Sequence, residues 1–401
     1  MLDVAITGAG LLSPIGGSLA ASWDGFIAGR VGFTRIQLDG TAFWCAPVDD
    51  APLAALDPAL RKRTDRFGQF ALVAAEEALV AAALPVLDAE RTAVVVGATM
   101  GGVPLLAQAQ GELEGRGAQH VTPRLMALVI PNMAAAAIAL RWKLHGPQLA
   151  IATACASSLD AIGRAARMIA QGEVDVALAG GSETLLTPVV ATSLERAGAL
   201  ARGDDPHHVS LPFDTKRTGF VMADGCGIVV LERGADARAR GAAIQGYVRG
   251  YASLADAYHA TSPEPSGRWE ARAIERALAD AGIAADAIDA LYAHGTATPV
   301  GDAAEIAAIN AVYGARSHPL PVTSLKGHVG HGMAASGVTA LAVALRGFAE
   351  GIVIGTAGTD DVEPSAQFDV VLGPPRALAT RTVQINAFGF GGQNASLVVS
   401  R

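Results

Sequence analysis

Short β-rich runs alternate with alanine-rich helical patterns along the whole chain, and this alternation restricts the fold more than any other feature. The runs are VAITGAG, RTAVVVGATMGG, QLAIATA and VDVALAGG in the first half, then IDALYAHG, LPVTSLKG and VQINAFGFGG in the second. Strand, glycine-containing turn and helix in repetition is the pattern of an α/β protein. Several runs are apolar throughout, as expected of strands that helices cover on both faces.

The two halves of the chain share this rhythm and meet near residues 240–250. We interpret them as a duplicated α/β unit, although no residue-level repeat is visible. The predicted units are residues 1–245 and 246–401, and we expect them to pack closely because no Pro- or Ser-rich linker separates them.

Composition excludes several classes of protein. The 401 residues are 51% hydrophobic, which is enough for a sizeable core. No apolar run approaches the roughly 20 residues of a spanning helix, and the start lacks a signal peptide, so we expect a cytoplasmic protein that does not enter membranes. The net charge of −8 argues against general nucleic-acid binding. Three widely spaced cysteines without a CxxC pair predict neither disulfides nor a zinc cage.

Two glycine-rich stretches resemble sites but predict ordinary structure. TGAGLLS at residues 7–13 follows a strand but lacks the third glycine and the acidic ribose ligand of a dinucleotide fingerprint, so we predict a tight turn. Residues 212–234 predict a turn followed by a strand, with Cys226 as a small buried side chain.

The stretch IATACASSLDAIG places Cys155 between an apolar run and a helical pattern. Apolar residues then recur at the spacing of one helix face, namely Leu159, Ile162, Ala166 and Ile169. Cys155 should therefore lie near a helix N-terminus, where the dipole lowers the pKa of a thiol. Taken alone, TAC slightly favours a plain buried core cysteine.

Two further turns carry polar side chains after strands. LYAHGTATPVGDAAE places His294 directly after a predicted strand, Ile288 to Ala293, and SLKGHVGHGMAASG carries Lys326, His328 and His331. Because sites of α/β folds gather at the ends of strands, we expect the three turns to converge. A metal site would lack the HExxH spacing and an evident carboxylate ligand. A Cys-His hydrolase would leave Lys326 and one histidine without a role.

The motifs TACASS, HGTATPVGDAAE, KGHVGHGMAASG, DAYHATSP and NAFGFGGQN occur in one order along the chain. With them the sequence resembles the elongating β-ketoacyl-acyl carrier protein synthases of the thiolase superfamily, both the bacterial synthase II type and the type II polyketide ketosynthases. The resemblance implies a five-layered α-β-α-β-α fold. It also implies decarboxylative condensation of an enzyme-bound acyl group with malonyl-acyl carrier protein. An inactive carrier-protein-binding scaffold is a remote alternative.

The resemblance also implies residue roles. Cys155 would be the acyl-accepting nucleophile, His294 and His331 the pair that decarboxylates malonyl, and Lys326 an electrostatic partner. His331 takes this role because the family's Lys-x-x-x-Gly-His pattern ends on it, which leaves His328 as an extra histidine. The backbone N–H groups of Cys155 and Phe390 would form the oxyanion hole. Supporting and substrate-contacting positions would be Glu305, Asp302, Thr296, Thr298, Thr261, Phe388, Phe390 and Met100.

Partners follow from the same resemblance. Lys62 and Arg63 in LRKRTDRF match the family's docking surface for acidic carrier protein, although such a run is also typical of a solvated helix face. We expect a dimer, formed either with a second copy or with a chain-length-factor-like subunit. No metal or bound cofactor is expected, because phosphopantetheine arrives on the carrier protein. Met100 stands where the family often has a branched aliphatic residue, so acyl length is left open.

Overall fold

The computed structural model describes residues 2–38 and 41–401. The strands in these ranges are β1 Val4–Leu12, β2 Thr34–Leu38, β3 Thr41–Ala46, β4 Thr92–Gly97, β5 Gln148–Ile151, β6 Val176–Glu183, β7 Met222–Ala223, β8 Gly225–Arg233, β9 Gly246–Ala255, β10 Ala290–Tyr292, β11 Pro321–Thr323, β12 Ile352–Val353, β13 Asp369–Val370, β14 Arg376–Ala377, β15 Thr382–Gly389 and β16 Gln393–Ser400. The α-helices are α1 Leu19–Ile27, α2 Pro58–Arg61, α3 Arg66–Ala82, α4 Val103–Arg116, α5 Leu125–Val129, α6 Met133–Trp142, α7 Ser157–Ala170, α8 Pro188–Arg196, α9 Gly234–Ala239, α10 Arg268–Ala281, α11 Pro299–Tyr313, α12 Lys326–Val329 and α13 Ser336–Glu350.

The two halves have the same strand order, which confirms the predicted duplication. The first half runs β1-β8-β6-β4-β5 and the second runs β9-β16-β15-β10-β11, with β13 added at the end. In each half the first two neighbouring pairs in this order are antiparallel, and the next two pairs are parallel. β1 pairs with β9 through Val4–Ile6, so the halves form one continuous sheet and pack closely, as predicted.

The helices complete five layers, as the resemblance implied. α7 and α13 pack together in the middle and share one hydrophobic core with strands of both halves. α3 and α6 cover the outer face of the first half, and α10 and α11 cover that of the second. The helix predicted after Cys155 turns the expected face inward, because Leu159, Ile162, Ala166 and Ile169 are fully buried.

The predicted tight turn at residues 7–13 is wrong. Residues 7–12 lie within β1, which is buried along its whole length and shifts its register with β8 between Ile6 and Gly8. A Cβ atom on Gly8 would lie 2.0 Å from the Ala78 carbonyl oxygen, and one on Gly10 would lie 2.1 Å from that of Ala74. The two glycines are therefore present because α3 crosses the strand at backbone contact.

Other local predictions are confirmed or shortened. Cys226 is fully buried in β8, as predicted, and all three cysteines are free thiols. The strand predicted over residues 288–293 is shorter in the structure, Ala290–Tyr292. On either side of it, Asp289 and Ala293 each donate one further backbone hydrogen bond to a neighbouring segment. No helix within residues 2–38 and 41–401 is both long and apolar enough to cross a membrane.

Candidate active site

Cys155 lies in a 3₁₀ turn, Ala154–Ala156, between the end of β5 and the first residue of α7. The position near a helix N-terminus is confirmed. Ala154 has a φ of +49°, a left-handed conformation that turns the chain sharply before the thiol. The end of β15 approaches this turn closely, since a Cβ atom on Gly389 would lie 2.8 Å from the Cys155 backbone nitrogen. The glycine lets the two backbone segments meet.

The predicted turns converge on the thiol. His331 Nε2 lies 3.0 Å from Cys155 Sγ, and the rings of His294 and His331 are 5.3 Å apart at 81°. Cys155, His294 and His331 are 7%, 8% and 1% exposed. Phe220 packs edge-on against His331 and Phe388 against His294, which limits the ring orientations.

Both histidines are neutral near pH 7. Burial, followed by the charge of Lys326, holds the pKa of His294 and of His331 well below the ordinary value of 6.5. Burial also lowers the pKa of Lys326 to about 8, although the neighbouring Glu305 opposes this shift. A neutral imidazole donates a hydrogen bond from one ring nitrogen and accepts one at the other.

The predicted low pKa of Cys155 is wrong. Burial raises it to about 12, against the opposing effects of Lys326 and of the backbone N–H groups of Phe390 and Cys155. The helix N-terminus and the Lys326 cation both stabilise the thiolate, but the free-energy cost of removing a thiolate from water is larger than this stabilisation. The resting side chain is therefore a thiol. The two N–H groups that face the sulfur are those expected to form the oxyanion hole.

Lys326 and Glu305 act on the His294 turn from opposite sides. The Lys326 ammonium donates to the His294 carbonyl oxygen, while Glu305 on α11 accepts from the N–H groups of His294 and Gly295 at 2.8 and 2.6 Å. The salt bridges of the described residues do not include Lys326 with Glu305; the two side chains act on each other's pKa through their charges and hold the same turn through its backbone. Asp302 accepts from the N–H groups of Phe213 and Ala297 and holds the next residues of the turn.

The positions expected to contact substrate differ in their exposure. Thr298 caps α11, and its Oγ1 lies 3.0 Å from that of Thr296. Thr261 is exposed and donates its backbone N–H to His259. Phe388 is buried against His294, whereas Phe390 and Met100 are 42% and 53% exposed. Their contact with substrate stays a prediction.

His328 points away from the reacting groups. Its Nδ1 lies 2.9 Å from the carbonyl oxygen of Arg30, and its Nε2 lies 3.0 Å from that of Gly355. Phe26 packs edge-on against the ring, which is 4% exposed. A neutral ring has one N–H, so the extra histidine donates to one of these two carbonyl oxygens and ties the turn of Lys326 and His331 to that loop.

Three side chains at the site were not identified from the sequence. Ser336 Oγ lies 2.9 Å from His331 Nδ1, and Met333, with a φ of +44°, places its sulfur 4.0 Å from that of Cys155. Glu183 at the end of β6 accepts hydrogen bonds from Thr99 and the N–H of Ala334, and burial raises its pKa to about 7. Only the presence of Ser336 and Met333 in the KGHVGHGMAASG turn could have indicated them.

The spacing of these groups would also suit a metal ion. The Cys155 sulfur and one ring nitrogen from each of His294 and His331 lie within 4.8 Å of one another. His328 is outside this group. Lys326 places a cation beside the same atoms, which opposes binding of a second cation. Lys62 and Arg63 lie apart from the site, exposed at the C-terminal end of α2.

Comparisons with known proteins agree with this geometry. Residues 1–237 match the β-ketoacyl synthase N-terminal domain, and residues 245–360 match the β-ketoacyl synthase C-terminal domain. The chain belongs to the β-ketoacyl synthase family. It is an acyltransferase with the thiolase-like fold, and it catalyses a condensation that forms a 3-oxoacyl product.

Individual relatives cover the whole chain. The 3-oxoacyl-[acyl-carrier-protein] synthase 2 of Synechocystis sp. is 37% identical over 406 residues, covering 99% of this chain and 98% of the relative. The ishigamide ketosynthase/chain length factor structure superposes with a TM-score of 0.92 at 31% identity, covering 100% and 99%. A type II polyketide ketosynthase in complex with its acyl-carrier protein gives a TM-score of 0.90 at 28% identity, with the same coverage.

Proposed function

We propose that Cys155 accepts an acyl group from the phosphopantetheine thioester of acyl carrier protein, and that His294 and His331 then decarboxylate malonyl on a second carrier protein. The observation that carries this proposal is the convergence of one thiol and two neutral imidazoles in a buried site. The chain itself supplies no bound cofactor in this scheme.

In the first half-reaction, a bond forms between Cys155 Sγ and the acyl carbonyl carbon, and the bond from that carbon to the pantetheine sulfur breaks. The thiol proton ends on the departing pantetheine sulfur. Because the Cys155 pKa is raised, the small thiolate fraction does the attack, assisted by the charge of Lys326. The N–H groups of Cys155 and Phe390 stabilise the oxyanion, and loss of one such donor typically costs ~10²–10³ in rate.

In the second half-reaction, the bond between the malonyl α-carbon and its carboxylate breaks and CO₂ leaves. The electron pair moves onto the α-carbon and the thioester oxygen. Nε2–H groups of His294 and His331 would donate hydrogen bonds to that oxygen and stabilise the enolate. The α-carbon then bonds to the acyl carbonyl carbon, the bond from that carbon to Cys155 Sγ breaks, and the thiolate that leaves takes up a proton from water. The product is longer by two carbons.

The surrounding residues have supporting roles in this proposal. Thr296, Thr298 and Thr261 would bind the pantetheine arm, Phe388 and Phe390 would gate the acyl pocket, and Met100 would line it. Lys326, Glu305 and Asp302 would hold the His294 turn, which their hydrogen bonds to its backbone support.

Intact-protein mass spectrometry tests the first half-reaction. The purified chain is incubated with a panel of acyl-carrier proteins and then with malonyl-carrier protein. We expect an acyl adduct on the wild type but not on Cys155→Ala, and its discharge as the β-ketoacyl product. An adduct that survives Cys155→Ala would exclude the proposed nucleophile.

The same experiment distinguishes the second candidate, a ketosynthase subunit of a type II polyketide or polyene system. Similarity to the ishigamide ketosynthase/chain length factor favours testing it. Condensation that appears only after a chain-length-factor-like subunit is added would favour this candidate over a self-sufficient fatty acid elongase. An adduct that is never discharged under either condition would contradict the proposed condensation step.

Carrier protein would dock through Lys62 and Arg63, whose exposure supports this role. Charge reversal in Lys62→Glu with Arg63→Glu should raise KM for acyl-carrier protein about tenfold or more at low salt, and less at high salt. Reaction with a small acyl thioester should not change. Equal loss with both substrates would refute the docking role.

The protein would act in the cytoplasm. Three unpaired cysteines are consistent with a reducing environment.

A further inference from the structure

Ser336 completes a line of three side chains through the active site. It is the first residue of α13, five positions after His331. Its Oγ lies 2.9 Å from His331 Nδ1, and the opposite ring nitrogen, Nε2, lies 3.0 Å from Cys155 Sγ. The ring between them is 1% exposed, so the hydroxyl and the thiol occupy the two hydrogen-bonding directions of His331.

The hydroxyl constrains where the proton of His331 resides. A neutral imidazole has one N–H and one lone pair, and the partner of one nitrogen sets the state of the other. In the described part of the chain, His331 Nδ1 is the one recorded hydrogen-bond partner of the Ser336 Oγ. If the hydroxyl donates to Nδ1, then Nε2 carries the proton and points it at the reacting centre.

The second histidine provides a contrast within the same site. His294 Nδ1 is buried and has no hydrogen-bond partner among the described residues. The protein therefore supplies a tautomer-setting side chain to His331 and none to His294. The asymmetry assigns a specific function to a serine at position 336, where an alanine would fill nearly the same space.

We propose that Ser336 is a positioning residue that donates its hydroxyl hydrogen to His331 Nδ1 and so holds His331 in the Nε2–H tautomer that decarboxylation requires. This proposal rests on the role proposed above for His331. It predicts that the hydroxyl matters for breaking the malonyl carboxylate bond and not for malonyl binding.

The first measurement determines which ring nitrogen of His331 carries the proton. Enzyme labelled with ¹⁵N-histidine, wild type and Ser336→Ala, is compared by two-bond ¹H–¹⁵N correlation, with His331→Asn used to assign the signals. We expect the Nε2–H pattern for His331 in the wild type and a shift toward a tautomer mixture in Ser336→Ala. An Nδ1–H pattern in the wild type, or identical patterns in both proteins, would overturn the proposal. Because this readout needs no turnover, it decides the proposal even if the proposed function fails.

The second measurement is malonyl thioester decarboxylation. Ser336→Ala should lower kcat about three- to tenfold, the rate equivalent of one neutral hydrogen bond, with little change in KM. Ser336→Thr, which restores a hydroxyl, should recover most of the loss. Thr339→Val is the matched control, because it removes a hydroxyl on the same helix whose one hydrogen bond within the described residues goes to the Ala335 carbonyl oxygen. If Ser336→Ala does not fold, Ser336→Cys, with its weaker donor, takes its place. Wild-type kcat in a folded variant lacking the hydroxyl would refute the positioning role.

Discussion

At Cys155, burial and electrostatic attraction act on the thiol in opposite directions. The sequence correctly placed this residue beside a helix N-terminus, because apolar periodicity reveals where a helix begins. It could not reveal the sign of the pKa shift. That sign depends on how completely His331, Met333 and the end of β15 enclose the sulfur, and those groups lie far away in sequence.

Alkylation of Cys155 by iodoacetamide tests the raised pKa. Below the pKa of about 12, the thiolate fraction increases with pH. The rate should therefore rise by about tenfold per pH unit between about pH 6 and pH 8. The rise should become less steep above pH 8, where Lys326, with a pKa of about 8, loses its charge. Peptide mapping by mass spectrometry follows Cys155 separately from Cys45 and Cys226.

Lys326→Met provides the control for this pH profile. The variant should react more slowly at pH 7, because the thiolate loses a neighbouring cation, and its profile should show no change of slope near pH 8. A plateau in the wild-type rate below pH 8 would mean that the thiol is already ionised and that the raised pKa is wrong.

His328 is a residue whose place the sequence could not assign. Burial holds its pKa below the ordinary 6.5, so the unfolded chain binds this proton first as the pH falls. Wild-type stability measured against His328→Asn should therefore decrease from about pH 7 to about pH 5.5, by at most about 1.4 kcal/mol per pH unit. Urea unfolding at several pH values gives this difference. A difference that grows toward acid would instead indicate an imidazolium bonded to both the Arg30 and Gly355 carbonyls.

At the scale of elements, periodicity predicted strands and helices better than it predicted what glycine does between them. Each run predicted to be a strand contains a strand in the structure. The apolar residues that indicate such a strand can be read from the run itself, without knowledge of which helices pack on it. TGAGLLS was assigned to a turn because glycine is permissive there as well. The glycines are instead required by the crossing of α3, a tertiary contact that no local sequence pattern specifies.

Gly8→Ala and Gly10→Ala test that explanation. Each new Cβ would meet a carbonyl oxygen of α3 at 2.0–2.1 Å, so helix and strand must separate. We expect each variant to lose about 3 kcal/mol or more of unfolding free energy. Gly111→Ala on α4 is the matched control, since nothing lies within 4 Å of its Cβ position. It should stabilise by roughly 0.5–1 kcal/mol, the helix preference for alanine. Urea unfolding of the three variants compares them, and a neutral Gly8→Ala would contradict the close crossing.

At the scale of the whole molecule, the duplication explains why the site lies where it does. Equivalent strands, β5 and β11, are followed by equivalent central helices, α7 and α13. Cys155 precedes the first helix and His331 the second, so the packing of the two helices brings thiol and imidazole together. The sequence predicted the duplicated rhythm and the convergence. It showed no residue-level repeat, because the two halves conserve topology and burial while their side chains differ.

The same duplication leaves β5 at one end of the eleven-stranded sheet, and this end is where we predict the dimer contact. Residues Gln148 to Ala150 are exposed in one chain, and Leu149 presents 40% of its surface. An exposed apolar edge strand is a template for pairing with another strand. Light scattering should therefore give about 81 kDa, twice the 40.7 kDa of one chain.

Leu149→Lys should weaken this dimer, because a charge at the strand edge opposes pairing. Its dissociation constant should rise by about tenfold or more, and the mass should fall toward 40.7 kDa on dilution. Ile27→Lys is the matched control, since Ile27 is 41% exposed at the end of α1, away from β5. Equal weakening by both variants would contradict a β5 contact. Because β5 leads directly into the Cys155 turn, monomeric Leu149→Lys should also lose acylation activity, which joins assembly to catalysis through one strand.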